Sequence, residues 1–195
     1  MARCASNVVV LAGPNGAGKT TAAPELLKDA LSVTEYVNPD VIAQGLSGFD
    51  PDAVALLAAR LMLERMHVLA GARVSFAFET TLASRSYARF LAELTAKGYQ
   101  VQLIFLWLPN GDTAVQRVAE RVRMGGHAVP ERTVRQRYAA GLRNFFELYQ
   151  SLAAVWRVYD NSEPPGPRLM AEGSRNEKIR VLDRPTWQRM RSAGQ

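Results

Sequence analysis

Residues 13–20 read Gly-Pro-Asn-Gly-Ala-Gly-Lys-Thr, and no other stretch of this 195-residue chain restricts its fold so tightly. They fill every fixed position of the pattern G-x-x-x-x-G-K-[ST]. A valine-rich run at 6–12 (SNVVVLA) precedes them, and a helical stretch reaching about Leu31 follows. A short continuous apolar run suits a strand buried on both faces of a parallel sheet. Strand, glycine turn and helix in that order make the context in which the pattern cradles phosphate. Consecutive backbone N–H groups curl round a β-phosphate, and the helix N-terminus adds its positive end. The expected ATP-binding residues are therefore Gly13, Pro14, Asn15, Gly16, Ala17, Gly18, Lys19, Thr20 and Thr21. Lys19, expected to be exposed at the loop, reaches the β- and γ-phosphates, and the Thr20 hydroxyl binds Mg²⁺.

The rest of the chain alternates strand and helix signals. Strands are expected at 33–37, 74–78, 99–108 and 155–159, with 99–108 the strongest and central. Spans 168–172 and 178–183 read as a hairpin round a Gly-Ser-Arg-Asn turn. Pro24 lies beyond the first turn of its helix, removes a backbone bond to Thr20 and predicts a local kink. After Pro51, Val54, Leu57, Leu61 and Val68 recur at helical spacing as an inward face. Arg60, Glu64 and His67 share another face, so His67 reads as a solvated surface residue. A helix over 85–97 stops at Gly98, a C′ glycine. Another over 113–124 stops at Gly125-Gly126, and the next begins near Pro130, a first-turn proline. Its stripe of Val134, Tyr138, Leu142, Phe145, Tyr149 and Leu152 reads as core. The tail after Pro185 reads as short and basic. The pattern predicts an α/β protein with a P-loop NTPase fold: a mainly parallel sheet flanked by helices, a helical lid at about 112–152 and a C-terminal β-hairpin. One domain over 1–195 is expected.

Cys4 is the only cysteine, which excludes an internal disulfide framework and a thiolate metal site. No run of about 18 apolar residues spans a membrane. The N-terminus lacks the regions of a secretory signal, so a cytoplasmic location is expected. A net charge of +6 admits a merely basic surface or a set of cations round a polyanionic ligand. Where the arginines lie decides between them.

Motor or transport ATPases, GTPase switches and small-molecule kinases all use such a loop. Gly45-Leu46-Ser47-Gly48 superficially matches a transporter signature, but it falls too soon after the loop and before any acidic strand end. There is no N-K-x-D guanine motif, and no strand ends in the paired Asp-Glu of hydrolytic ATPases. Kinases remain, and they need an acid near the γ-phosphate and arginines that neutralise the transferring group. Asp40 follows the second expected strand at the carboxyl edge of the sheet, where α/β sheets bind ligands. It reads as the base or as the N-cap of the helix at Val41-Ile42-Ala43. Glu79 ends another strand and suits a substrate or a metal-bound water. Thr80 and Thr81 bond hydroxyls or cap the next helix. Arg117, Arg121, Arg123, Arg132, Arg135 and Arg137 surround Gly125-Gly126-His127, as in a lid hinged at a glycine pair.

With these pieces the chain resembles the zeta-toxin-like family of P-loop kinases, in the branch often labelled predicted ABC-type ATPase. The matching segments are GPNGAGKTT (13–21), NPD (38–40), FETTLAS (78–84), RVRMGGHAVPERTVRQRY (121–138) and YDNS (159–162). The resemblance implies phosphoryl transfer from ATP to a hydroxyl, which in the family is the 3′-hydroxyl of UDP-N-acetylglucosamine. It implies Asp40 as base, Glu79 and Thr81 as substrate contacts, Arg121 and Arg137 as phosphate ligands, and an antitoxin protein as partner. The chain departs from the toxins after Asp40, where Val41-Ile42-Ala43-Gln44 replaces a segment carrying an arginine. It also has Glu79-Thr80-Thr81 for E-G-T. Two other readings stand beside it. A polynucleotide kinase would show aromatic and basic residues interleaved along a groove, and that pattern is absent, so nucleic acid is not the expected partner. A non-catalytic ATP-binding module would need no base at position 40.

Overall fold

A computed structural model describes residues 6–28, 33–126, 128–175 and 177–194. Cys4, Leu31, His127 and Asn176 lie outside the described residues. The first strand, β1 (Asn7–Ala12), runs into the glycine loop and then into α1 (Lys19–Lys28), which contains Pro24. Next come β2 (Glu35–Val37), α2 (Pro39–Leu46), a 3₁₀ turn at Asp52–Val54, α3 (Ala55–Gly71), β3 (Phe76–Thr80) and α4 (Ser86–Ala96). The second half holds β4 (Gln100–Trp107), α5 (Gly111–Arg123), α6 (Glu131–Asn144), a π-helical turn at Phe145–Tyr149 and α7 (Gln150–Leu152). It ends with β5 (Val155–Asp160), β6 (Arg168–Ser174), β7 (Glu177–Val181) and α8 (Arg184–Ala193).

The strands form one seven-stranded sheet in the order β2-β3-β1-β4-β5-β6-β7, with the first five parallel. This is the P-loop NTPase fold. The strongest apolar run, β4, is the middle strand. Val8 to Ala12 of β1 are all buried, because β3 and β4 flank the strand and both its faces are covered. β6 and β7 form the expected hairpin, but it extends the sheet by pairing antiparallel to β5. The carboxyl ends of β1 to β5 therefore share one edge, where the glycine loop, Asn38, Thr81 and Asn161 follow their strands.

Helix stops obey local chemistry. The N–H of Tyr99 bonds the carbonyl of Leu94 and that of Gly98 bonds Thr95, a Schellman end for α4. The same pair of bonds ends α5: Gly126 to Arg121 and Gly125 to Val122. Gly125 takes the left-handed φ of 86° that this motif requires.

Three expectations need correction. On α3 the inward face is Ala58, Met62, Met66, Leu69 and Ala70, while Leu57 and Val68 are exposed. The helix carries two apolar stripes, and the one with small and flexible residues fits under the sheet. Pro130 occupies the cap position before α6 rather than its first turn. The tail after Pro185 is the helix α8, capped by the Asp183 carboxylate on the Thr186 N–H. Its Trp187 stacks on Trp156 with ring centroids 5.7 Å apart. His67 is exposed as expected and sits edge-on to Phe90.

The stripe on α6 is core, with Val134, Leu142, Phe145 and Tyr149 buried. It also holds the segment after β3. Asn144 donates to the carbonyls of Leu82 (2.8 Å) and Ala83 (3.1 Å), and the Tyr149 hydroxyl donates to Ser84 O. Gly141 packs so closely that a Cβ there would collide with the Thr81 carbonyl oxygen, a backbone atom that cannot swing away. Gly141→Ala is expected to destabilise the protein by about 1–3 kcal/mol, the usual cost of overpacking. Gly45→Ala on α2, where nothing lies within 4 Å of the added carbon, is expected to be neutral or stabilising by up to about 1 kcal/mol. Urea denaturation of both variants checks the contrast.

Candidate active site

The glycine loop is shaped by what it touches. A side chain at Gly16 would meet the Ala114 carbonyl oxygen at 2.8 Å and the Arg117 Cβ at 3.1 Å, so the loop lies directly against α5. Opposite, Asn161 follows β5 and its Nδ2 donates to the Ala17 carbonyl at 2.8 Å. Arg117 then donates to the carbonyls of Asn161 and Ser162, both at 2.7 Å. Loop, α5 and the end of β5 are thereby joined in one strap. The buried Asp160 braces it, accepting from the Ser162 N–H (3.0 Å) and hydroxyl (2.6 Å) and pairing with Arg168 at 3.1 Å.

Lys19 is not exposed as expected: its side chain is 7% accessible. Nζ donates to the carbonyls of Gly13 and Pro14 at 3.0 Å each and lies 3.6 Å from Glu79 Oε1. Burial pushes the Lys19 ammonium below the ordinary lysine value, against the upward pull of Glu79 and Asp40, while Arg121 adds to the lowering. The ammonium is thus held in place by carbonyls and carboxylate in the spot that phosphate oxygens occupy in loops of this type.

Glu79 is buried at the end of β3, and its Oε2 gathers three donors. They are the Tyr36 hydroxyl at 2.5 Å, Asn38 Nδ2 at 2.8 Å and the Thr20 hydroxyl at 3.1 Å. Burial, and then the neighbouring Glu79 carboxylate, push the Tyr36 hydroxyl well above the ordinary tyrosine value, so it stays a donor. Thr20 gives its proton to Glu79 and receives a long bond from Asn38 Nδ2 at 3.5 Å, which leaves a lone pair for a cation. Mg²⁺ takes oxygen ligands and usually combines one or two protein groups with phosphates and waters. The hydroxyl of Thr20, with Glu79 behind it, fits that ion. Among the described residues no group of three or more His, Cys, Asp or Glu is arranged to hold a metal.

Asp40 is exposed and lines the same cavity, about 500 Å³ in volume, as Lys19, Thr20, Glu79 and Thr81. The cap of α2 is Asn38 and not Asp40: Asn38 Oδ1 accepts from the N–H groups of Asp40 (2.8 Å) and Val41 (3.4 Å). Of the six arginines, Arg117, Arg121 and Arg137 line the cavity. Arg135 is instead tied to Asp112 at 2.6 Å and Glu131 at 2.8 Å, and Arg123 and Arg132 are exposed elsewhere. Gly126 lets Arg121 fold over the end of α5, since a Cβ at 126 would come within 2.6 Å of Arg121 Cγ. Thr81 uses its hydroxyl to accept from the Ala83 N–H at 3.4 Å, so its side chain also shapes the turn after β3. Asn38, Asn161 and Arg117 received no role from sequence reasoning beyond membership of their segments. A single side-chain amide leaves no periodicity, and only the quoted NPD and YDNS segments pointed at the two asparagines.

Comparison with known proteins follows the same lines. The AAA domain family matches residues 8–145, which runs from β1 into the π-helical turn. A Haemophilus influenzae protein, described as uncharacterized, is 25% identical over 133 residues, covering 68% of this chain and 93% of its own. The fold is similar to the crystal structure of the AvrRxo1-ORF1:AvrRxo1-ORF2 complex with sulphate ions, at a TM-score of 0.77 and 17% identity, over 99% of this chain. A second structure of that complex, with ATP, gives a TM-score of 0.75 and 17% identity over 99% of this chain. This chain spans 66% and 65% of the matched chains in the two structures. A structure from the PezAT toxin-antitoxin system of Streptococcus pneumoniae matches at 0.61, with 13% identity over 99% of this chain and 87% of its own. No helix among the described residues is long and apolar enough to cross a membrane.

Proposed function

Because the chain belongs to the AAA domain family, matched from its first strand into the π-helical turn after α6, we propose that it is an ATP-dependent kinase acting on the hydroxyl of a small molecule. The observation that carries this reading is one cavity lined by a P-loop lysine, an exposed aspartate and three arginines from the α5–α6 pair. A nucleotide-binding module without chemistry would have no use for Asp40 in that position.

In the proposed reaction the glycine loop binds the β-phosphate of ATP through its N–H groups, and Lys19 moves from the carbonyls of Gly13 and Pro14 to the phosphate oxygens. Thr20 would hold Mg²⁺, which would supply neutralisation of phosphate charge. The Asp40 carboxylate accepts the acceptor's hydroxyl proton as the hydroxyl oxygen bonds to the γ-phosphorus. The bond from that phosphorus to the β–γ bridging oxygen breaks and ADP leaves. Arg121 and Arg137 face the equatorial oxygens, where charge spreads in the transition state. Thr81 and the wall formed by Ser84, Tyr87 and Met124 receive the acceptor.

The proposed lid at 112–152 is largely packed in place, since Ala114 and Val118 of α5 and Val134 of α6 are buried as well. Leu142, Phe145 and Tyr149 are core, so closure is confined to the turn between α5 and α6. Arg121→Ala or Arg137→Ala is expected to lower kcat by more than about tenfold while raising the KM for ATP much less. Arg132→Ala serves as the bystander.

The acceptor proposed is a nucleotide sugar of the UDP-N-acetylglucosamine type, and the partner an antitoxin protein that occludes the cavity. The resemblance of the motifs supports both, and the pairing of AvrRxo1-ORF1 with AvrRxo1-ORF2 and the PezAT toxin-antitoxin system support the partner alone. A cytoplasmic location is proposed with them. The test is incubation with γ-labelled ATP and a panel of nucleotide sugars, nucleosides, NAD and DNA ends. Label on a sugar hydroxyl supports the reading, label on DNA ends replaces it by a polynucleotide kinase, and label on none overturns it.

A further inference from the structure

Building on the kinase reading above, we propose that Asn38 is a positioning residue that holds the base Asp40 and the carboxylate Glu79 in one rigid frame with Thr20. Asn38 is 3% exposed and follows β2 at the carboxyl edge of the sheet. The two ends of its amide face different halves of the reaction. Its Oδ1 accepts from the Asp40 N–H at 2.8 Å and the Val41 N–H at 3.4 Å, which fixes the first turn of α2 and with it Asp40. Its Nδ2 donates to Glu79 Oε2 at 2.8 Å and lies 3.5 Å from the Thr20 hydroxyl.

Capping alone does not explain this residue. An N-cap needs only an oxygen, and serine, threonine or aspartate supplies one as well as asparagine does. The donor half of the amide is surplus to the cap, and it goes to Glu79. Aspartate at 38 would cap the helix but set a second carboxylate against Glu79 Oε2. Serine would cap it and fall short of Glu79. Among these capping residues, only asparagine joins an acceptor and a donor on one short planar group.

The consequence lies at the cation. Glu79 orients the Thr20 hydroxyl, and outer partners of this kind typically change metal affinity or activity by about 10–100-fold when removed. Asn38 is one of the two protein groups beside Thr20 that pin Glu79 Oε2, the other being Tyr36. A displacement of Glu79 therefore disturbs Thr20, and through the same amide it disturbs Asp40.

Asn38→Ser and Asn38→Ala in the full chain separate capping from positioning. Binding of N-methylanthraniloyl-ATP is followed by fluorescence as Mg²⁺ is added, alongside phosphate release from ATP and the thermal midpoint. The expected result is that Asn38→Ser, which keeps the cap and loses only the bond to Glu79, lowers the midpoint less than Asn38→Ala does. Both variants should need about tenfold more Mg²⁺ for half-saturation and release phosphate more slowly. An Asn38→Ser protein with wild-type Mg²⁺ dependence and turnover shows that Asn38 is a cap alone and overturns the proposal. A wild-type protein that shows no Mg²⁺-dependent nucleotide binding overturns the kinase reading instead, and this inference with it.

Discussion

Replacing Lys19 by alanine is expected to lower phosphoryl transfer by about 10³-fold, the upper end of the loss seen when one preorganised donor is removed from a water-excluded site. The side chain is almost fully buried and its ammonium already points at the carbonyls of Gly13 and Pro14. It therefore needs only a short movement to meet phosphate, and no other lysine lines the cavity. The burial makes the fold an explicit concern. Alanine removes a buried stem as well as a charge, so Lys19→Met, which keeps the bulk, belongs in the same experiment. Glu79 retains Tyr36, Asn38 and Thr20 as donors in either variant, and the glycine loop retains Asn161 on the Ala17 carbonyl. Both variants should fold, and both should lose transfer and bind Mg-ATP weakly. Calorimetric titration and steady-state turnover check this. Unchanged affinity and turnover in Lys19→Met would falsify the phosphate-binding role.

What the sequence made legible follows the range over which each signal acts. The glycine loop is local: residues 13–20 fix their own conformation, and β1 and α1 lie where the motif demands them. Asp40 and Glu79 were legible as strand ends, because parallel strands bring their carboxyl ends to one edge. The inward face of α3 was not. Two apolar stripes satisfy the same spacing, and the choice between them depends on the depth of the space beneath the sheet. The helix α8 escaped notice because its few core contacts, Trp187 and Met190, stand among arginines and look like a basic tail. The glycine pair at 125–126 read as a hinge, and the structure adds that it forms a Schellman stop and makes room for Arg121. Sequence placed Lys19 on an exposed loop, and the structure buries it under carbonyls supplied by its own loop.

The arginines divide in the same physical way. Positions 117, 121 and 135 are all on faces that a helical wheel leaves polar, so no pattern separates them. Their partners do: Asp112 and Glu131 occupy Arg135, backbone carbonyls after β5 occupy Arg117, and Arg121 faces the cavity. Of the two explanations for a net charge of +6, the cavity-facing cations support a polyanionic ligand, and the remaining arginines are ordinary surface.

Asp40→Asn is expected to reduce transfer by about 10²–10⁴-fold, the span associated with loss of a general base, with little change in ATP affinity. The structure removes the main competing account of such a loss. Had Asp40 capped α2, its substitution would disturb the helix that carries it. Asn38 is the cap, and Asp40 sits in the first turn with its carboxylate in the cavity. Asparagine keeps the shape and sacrifices only the proton-accepting oxygen, together with a favourable charge near the helix N-terminus worth about 0.3–1 kcal/mol. Thermal unfolding should therefore move by only a few degrees. The electrostatics add a second readout. Asp40 raises the proton affinity of Lys19, so its neutralisation leaves the lysine slightly less committed to the charged form, and phosphate binding should weaken mildly rather than improve. An Asp40→Asn enzyme that turns over near the wild-type rate assigns the proton to another acceptor and leaves Asp40 as surface charge.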